Sequence, residues 1–177
     1  IIPGALGMEA GQSAFGDLYS WLRQLLLTPF QELTNGIISE TQFQKLSDNM
    51  LPYLSEKAAE LPLTEHDIVA LDWINGRRTP DVDHTVKSAI SGLSLGTNAA
   101  HLFKAFVEAT AFGSKAIVER FIAEGIPIEK VIALGGISKK SPFVMQTLAN
   151  VLDMEISVVA SEQACALGSA MFAATAA

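Results

Sequence analysis

The stretch Val131-Ile132-Ala133-Leu134-Gly135-Gly136-Ile137-Ser138-Lys139-Lys140-Ser141-Pro142 places two adjacent glycines directly after a short apolar run. Glycine tolerates positive φ and carries no Cβ, so a flat ligand can approach the backbone there. Ser141 is a good helix N-cap and Pro142 suits the first helical position. A helix starting there offers free N–H groups near the carboxyl end of a strand, the region where α/β sheets hold ligands. No glycine directly precedes Lys139 or Lys140, so the segment is neither a Walker-type phosphate loop nor a GxGxxG fingerprint. On its own the glycine pair favours a tight turn with no ligand.

A second constellation is Gly7-Met8-Glu9-Ala10-Gly11-Gln12-Ser13-Ala14-Phe15-Gly16-Asp17. Its small residues let backbone come close to a ligand, and Glu9 can accept hydrogen bonds from hydroxyl groups; a solvated loop carboxylate is the plainer alternative. Ser13 sits in G-x-S-x-x-G rather than the G-x-S-x-G nucleophile elbow, and no strand precedes it, which discounts a hydrolase. His66, His84 and His101 lack metal-ligand spacing. The first two read as surface groups and His101 as a satisfied core histidine. Lys104 and Glu108 form an i,i+4 pair of the ordinary surface kind, and Cys165 reads as packing in an apolar helix.

The elements that would position these groups follow from periodicity. A Gly-rich loop over residues 1–16 leads into a helix at Asp17–Leu27, closed by Pro29. A capping box of Ser39 and Gln42 starts a second helix, with an interruption near Pro52. Asp67–Trp73 reads as a strand closed by the Asn75-Gly76 turn signal. Arg77–His84 is loop. The longest helical pattern runs from Asn98 to Glu124 and ends at Gly125 and Pro127. Strand Lys130–Leu134, helix Pro142–Leu152, strand Glu155–Val159 and helix Ala164–Ala174 complete the chain. That alternation predicts a layered α/β sheet.

Composition sets bounds. The 177 residues are 49% hydrophobic and carry a formal charge of −7. The length suffices for one domain with its own core. The acidic balance argues against a nucleic-acid partner, since binding phosphate backbones needs a basic surface. It leaves ATP open, which needs only local donors. One cysteine permits no intrachain disulfide and fits a reducing compartment. No apolar run approaches the ~18 residues of a membrane span and no signal peptide is visible, so the cytoplasm is the expected location. The chain begins Ile1-Ile2-Pro3-Gly4, without Met, and ends in the helical stretch Ala170–Ala177. Both ends read as those of a piece cut from a longer chain.

Five segments in order resemble the FGGY family of carbohydrate kinases. Gly11–Asp17 and Leu71-Asp72-Trp73-Ile74-Asn75-Gly76-Arg77-Arg78 are similar to the ribulokinase-like members. Leu93–Glu108 is similar to the family's long C-terminal-domain helix, Ala133–Pro142 to its adenosine motif, and Ser161-Glu162-Gln163-Ala164-Cys165-Ala166-Leu167-Gly168-Ser169-Ala170 to its closing segment. The resemblance covers nearly the whole chain. It implies an actin-like ATPase, ribonuclease-H-like α/β fold, here the partial C-terminal, nucleotide-binding domain of a two-domain sugar kinase, with several long helices packed on a mixed sheet.

The same resemblance implies an activity: transfer of the ATP γ-phosphate to L-ribulose, with Mg²⁺ in the full-length enzyme. Gly135, Gly136 and Lys140 would flank the adenosine, Gly16 and Ser20 would approach the nucleotide from the other side, and Glu9 would lie near the sugar. At the Lys140 position the family often has Asn. The catalytic aspartate and the Gly-Thr-Ser/Thr phosphate loop are not in this sequence, so the isolated chain is expected to be inactive, and an open sheet edge invites a homodimer. Xylulose, another ketopentose, or a polyol such as glycerol remain alternative substrates. A non-catalytic actin-like nucleotide-binding module is the alternative of a different class.

Overall fold

A computed structural model describes Gly4 and residues 6–176; Ile1, Ile2, Pro3, Ala5 and Ala177 lie outside the described residues. The elements are α1 (Gly16–Leu33), α2 (Glu40–Ala59), β1 (Val69–Ala70), a 3₁₀ turn (Trp73–Asn75), β2 (Ile90–Ser91), α3 (Ala99–Ala123), β3 (Val131–Ala133), α4 (Gly136–Lys140), α5 (Pro142–Leu152), β4 (Ile156–Val158) and α6 (Ala164–Ala176).

The core forms where α1, α2, α3 and α5 meet. Leu18 and Leu22 lie four apart on α1, Leu54 and Ala58 four apart on α2, and Phe103, Phe106 and Val107 on α3; all are buried, as is Val144 of α5. Each large side chain buried in this way contributes roughly 1.5–3 kcal/mol. Edge-to-face ring contacts join the helices: Tyr19 of α1 meets Phe103 of α3 at 5.5 Å and Trp21 meets Phe106 at 5.8 Å. α3 is the central helix, packing against α5, α2, β1 and α1.

Neither proline ends its helix. Pro29 lies inside α1 and Pro52 inside α2. An interior proline costs about 3 kcal/mol. Leu54 and Ala58 beyond Pro52 are buried against the core, and that packing carries α2 past its proline; in α1 the last buried residue is Leu27, and the turn beyond Pro29 is exposed. Ser39 and Gln42 do form the capping box that starts α2.

The sheet differs from the expected single mixed layer. β1 pairs antiparallel with β2, a strand the sequence did not signal, and β3 pairs parallel with β4. The two pairs are separate. Only Val69–Ala70 of the expected Asp67–Trp73 strand is extended and paired, because the chain turns into the 3₁₀ segment after Asp72. Gly76 closes that turn at φ +77°, and a Cβ there would lie 2.6 Å from His84 Cα. The loop beyond is pinned by paired bonds between Arg77 and Asp83, at 2.8 and 2.9 Å. No helix among the described residues is long and apolar enough to cross a membrane.

Candidate functional site

β3 ends at Ala133, and Gly135 takes φ +98°, a left-handed conformation that favours glycine. The chain then enters α4, a five-residue helix without a sequence signal of its own; the helix expected at Ser141-Pro142 follows it as α5 rather than following the strand directly. Ser141 caps α5, its hydroxyl accepting from Val144 N at 3.3 Å. Nothing lies within 4 Å of where a Cβ on Gly135 or Gly136 would stand. The backbone there faces open space, as a flat ligand requires.

Gly16, at the first turn of α1, meets the same unit: a Cβ on it would lie 2.5 Å from Ile137 Cδ1. The start of α1 is thus brought against α4, and two of the expected nucleotide segments converge. Next to this contact is a cleft of about 490 Å³ whose lining includes Tyr19 and Arg23 of α1, Phe103 of α3, and Gly136, Ile137 and Lys140. Ser20 is exposed on α1 between two residues of that lining, and Gly135 is exposed at the end of the β3 turn. Glu9 stands apart. Its exposed carboxylate accepts from Arg78 Nη2 at 3.0 Å.

Behind Glu9 lies a partly buried polar network. Gln12 Nε2 donates to Asp72 Oδ2 and to Thr110 O, both at 2.8 Å. The Ser114 hydroxyl donates to Gln12 Oε1 at 2.9 Å, with Thr110 O at 3.0 Å as its other acceptor. The Thr110 hydroxyl donates to Val107 O, so the Tyr19 hydroxyl donates to Thr110 Oγ1, at 2.6 Å. Burial holds the Asp72 carboxyl above its ordinary value, partly opposed by the Gln12 bond. Burial likewise pushes the Tyr19 phenol well up. Ser13 Oγ is buried with no hydrogen-bond partner.

The chain matches the FGGY family of carbohydrate kinases, C-terminal domain, over residues 1–177. It belongs to that family. It is 46% identical to the ribulokinase of Vibrio parahaemolyticus over 99% of its own length and 31% of the relative's. It is 42% identical to that of Bacillus licheniformis over its whole length and 31% of the relative's. The chain thus spans about a third of these curated relatives. Among solved structures it resembles a xylulose kinase from Rhodospirillum rubrum, with TM-score 0.66, 23% identity, and 83% of this chain and 26% of that one covered. It also resembles the Plasmodium falciparum glycerol kinase with ADP, with TM-score 0.60, 24% identity, and 73% and 26% covered. At such identities the likeness speaks for the fold.

Several side chains in this FGGY-family domain are not where the sequence placed them. Lys104 is buried, not a surface group; its ammonium donates to Asp67 Oδ2 and, at 2.9 Å, to Pro62 O, and lies 3.9 Å from Glu108. That ammonium, followed by the Thr64 hydroxyl, holds Asp67 below its ordinary value, while burial raises Glu108. His101 is no core histidine: it is the third residue of the Asn98 capping box that starts α3. Cys165 is exposed rather than packed. His66 and His84 are exposed, as expected. Among the described residues, no three His, Cys, Asp or Glu side chains gather to hold a metal. Nothing in the sequence pattern marked Gln12, Asp72, Thr110 and Gly113 as a unit. The one available signal was Gly113 in the middle of the strongest helical pattern, where glycine is disfavoured without a packing reason.

Proposed function

We propose that this chain is the nucleotide-binding, C-terminal part of an ATP-dependent kinase that phosphorylates L-ribulose to the 5-phosphate in the cytoplasm, on an actin-like, ribonuclease-H-like fold. The observation that carries the nucleotide side is the convergence of Gly16 with Ile137 beside the open backbone of Gly135 and Gly136. Adenosine lies over that backbone, with Lys140 on the α4 side and Ser20 on the α1 side. The Plasmodium falciparum glycerol kinase was solved with ADP, which supports a nucleotide as ligand for this fold, and the ribulokinase relatives support the sugar. Glu9 faces the sugar from the loop before α1.

Chemically, the residues of this chain bind and orient. Phosphoryl transfer depends on in-line positioning and on neutralising charge at the phosphates. Mg²⁺, bound with the phosphates of ATP, supplies that neutralisation. The base and phosphate cradle lie outside this segment, so the isolated chain does not turn over. The test is L-ribulose-dependent ADP release by the complete kinase chain, set beside D-xylulose and glycerol. L-Ribulose should give the highest kcat/KM; a preference for either competitor overturns the substrate assignment. Ribulose-dependent turnover by residues 1–177 alone overturns the division of labour.

A further inference from the structure

The loop carrying Glu9 is laid along the segment 72–79 by three ties. Arg78 holds the Glu9 carboxylate at 3.0 Å, Gly11 N reaches Thr79 Oγ1 at 3.4 Å, and Gln12 Nε2 donates to Asp72 Oδ2 at 2.8 Å. These are unequal. The Glu9 and Arg78 side chains are 82% and 53% exposed, and exposed ion pairs contribute little. The Gly11 contact is at the long limit of a hydrogen bond. Asp72 is only 8% exposed, its partner amide has both ends occupied by Thr110 O and Ser114 Oγ, and a bond to a buried charged acceptor is among the stronger kinds. The position of the loop is therefore decided where Asp72 and α3 clamp Gln12, a short step along the chain from Glu9.

We propose that Asp72 is a positioning residue for the sugar: through Gln12 it fixes the loop that presents Glu9, and so sets sugar affinity without touching sugar or nucleotide. This rests on the ribulokinase reading and on Glu9 facing the sugar. Asp72→Ala removes the one charged, buried acceptor of the Gln12 amide and loosens the loop, leaving the bonds to Thr110 and Ser114. Asp72→Asn keeps an oxygen for Gln12 Nε2 to bond. Gln12→Ala cuts the same tie from the loop side, together with the bonds to Thr110 and Ser114.

The experiment measures KM for L-ribulose, KM for ATP, and kcat in the complete kinase chain, with amide hydrogen exchange over residues 8–14. D72A and Q12A should each raise the L-ribulose KM by about tenfold, the scale of one lost hydrogen bond to a charged group, and leave the ATP KM within about twofold. Exchange over residues 8–14 should quicken in both. D72N should recover most of the sugar affinity. In an E9A background, D72A should add nothing, because its effect runs through Glu9; such non-additivity is what a double-mutant cycle detects.

A parallel rise in both KM values marks a merely structural residue and overturns the proposal. So does an unchanged sugar KM in D72A, or an additive effect with E9A. Should D72A not fold, Q12A carries the same comparisons. Failure of the ribulokinase reading shows separately, as wild-type protein that does not phosphorylate L-ribulose; unaltered exchange over residues 8–14 in both variants then overturns the positioning claim as well.

Discussion

Gly113 is the position where two general rules give opposite signs. It lies within α3, where alanine is favoured over glycine by about 1 kcal/mol. Propensity alone makes Gly113→Ala stabilising. The structure reverses this. A Cβ at 113 would overlap Gln12 Nε2 and lie 2.6 Å from Asp72 Oδ2. Gln12 has no free direction to retreat, since its amide is bonded to Asp72, Thr110 and Ser114. Displacing it forfeits a bond to a charged, buried acceptor, roughly 1.5–3 kcal/mol, and two neutral bonds that together contribute about 1 kcal/mol or more. Net of propensity, the loss is about 2–3 kcal/mol. For a chain of this size that lowers Tm by roughly 5–10 °C. The assay is thermal and urea denaturation of wild type and G113A, with Gly168→Ala as the control. Gly168 lies in α6 with nothing within 4 Å of its would-be Cβ, so G168A should be neutral or stabilising by up to ~1 kcal/mol. If G113A is as stable as wild type, or gains with G168A, the clash argument is wrong.

Four other outcomes are expected. Gly136→Val puts branched carbons into the open space over the glycine turn and should weaken ATP binding by about tenfold or more in a calorimetric titration; equal affinity means the adenosine lies elsewhere. Asp72 is held above its ordinary value by burial, so its ionisation subtracts from stability at neutral pH, and the penalty lifts as pH falls through the folded-state value. D72N should thus be more stable than wild type at pH 7, with the gap closing toward about pH 4 in paired urea melts. Lys104→Met strands Asp67 and the half-buried Glu108 without their cation and should cost about 2–4 kcal/mol, read by denaturation. Amides of β3, a three-residue strand, should exchange hydrogen faster in this chain than those of Phe103–Thr110 in α3; equal protection would contradict a core centred on α3.

The helices other than α4 were legible because each carries its signal locally. The capping box at Ser39, the apolar face after Asn98, and the Ser141-Pro142 start are all short-range patterns, and each stands in the structure. What failed was set by distant partners. Pro29 looks like a stop and Pro52 like an interruption, yet both lie inside their helices, and past Pro52 the buried Leu54 and Ala58 hold α2. Lys104 looks like half of a surface pair until Asp67 and Pro62, about forty residues away, are found at its ammonium. Gln12 lies in the Gly11–Asp17 segment, but nothing local marks its role, which comes from Asp72 and Thr110, sixty and ninety-eight residues on. On the nucleotide side, Gly135 and Gly136 could be singled out from sequence, but the approach of Gly16 to Ile137 could not.

The glycine turn and the network rest on different mechanical foundations. Gln12, Asp72 and Thr110 are clamped to α3, the helix at the centre of the core. Gly135 and Gly136 ride on the end of β3, one of two three-residue parallel strands. Parallel sheets are stable almost only when both faces are covered, and a pair this short cannot stand alone. In this chain Ile132, Leu134 and Val158 of that pair and its flank, with Leu167, Met171 and Phe172 of α6, are exposed. The turn therefore borrows its rigidity from α4 and from the contact of Ile137 with Gly16. A nucleotide bridging α1 and α4 would tighten the weakest-packed part of the domain while leaving the Gln12 clamp unchanged, which is why sugar and nucleotide affinities should separate so cleanly at Asp72.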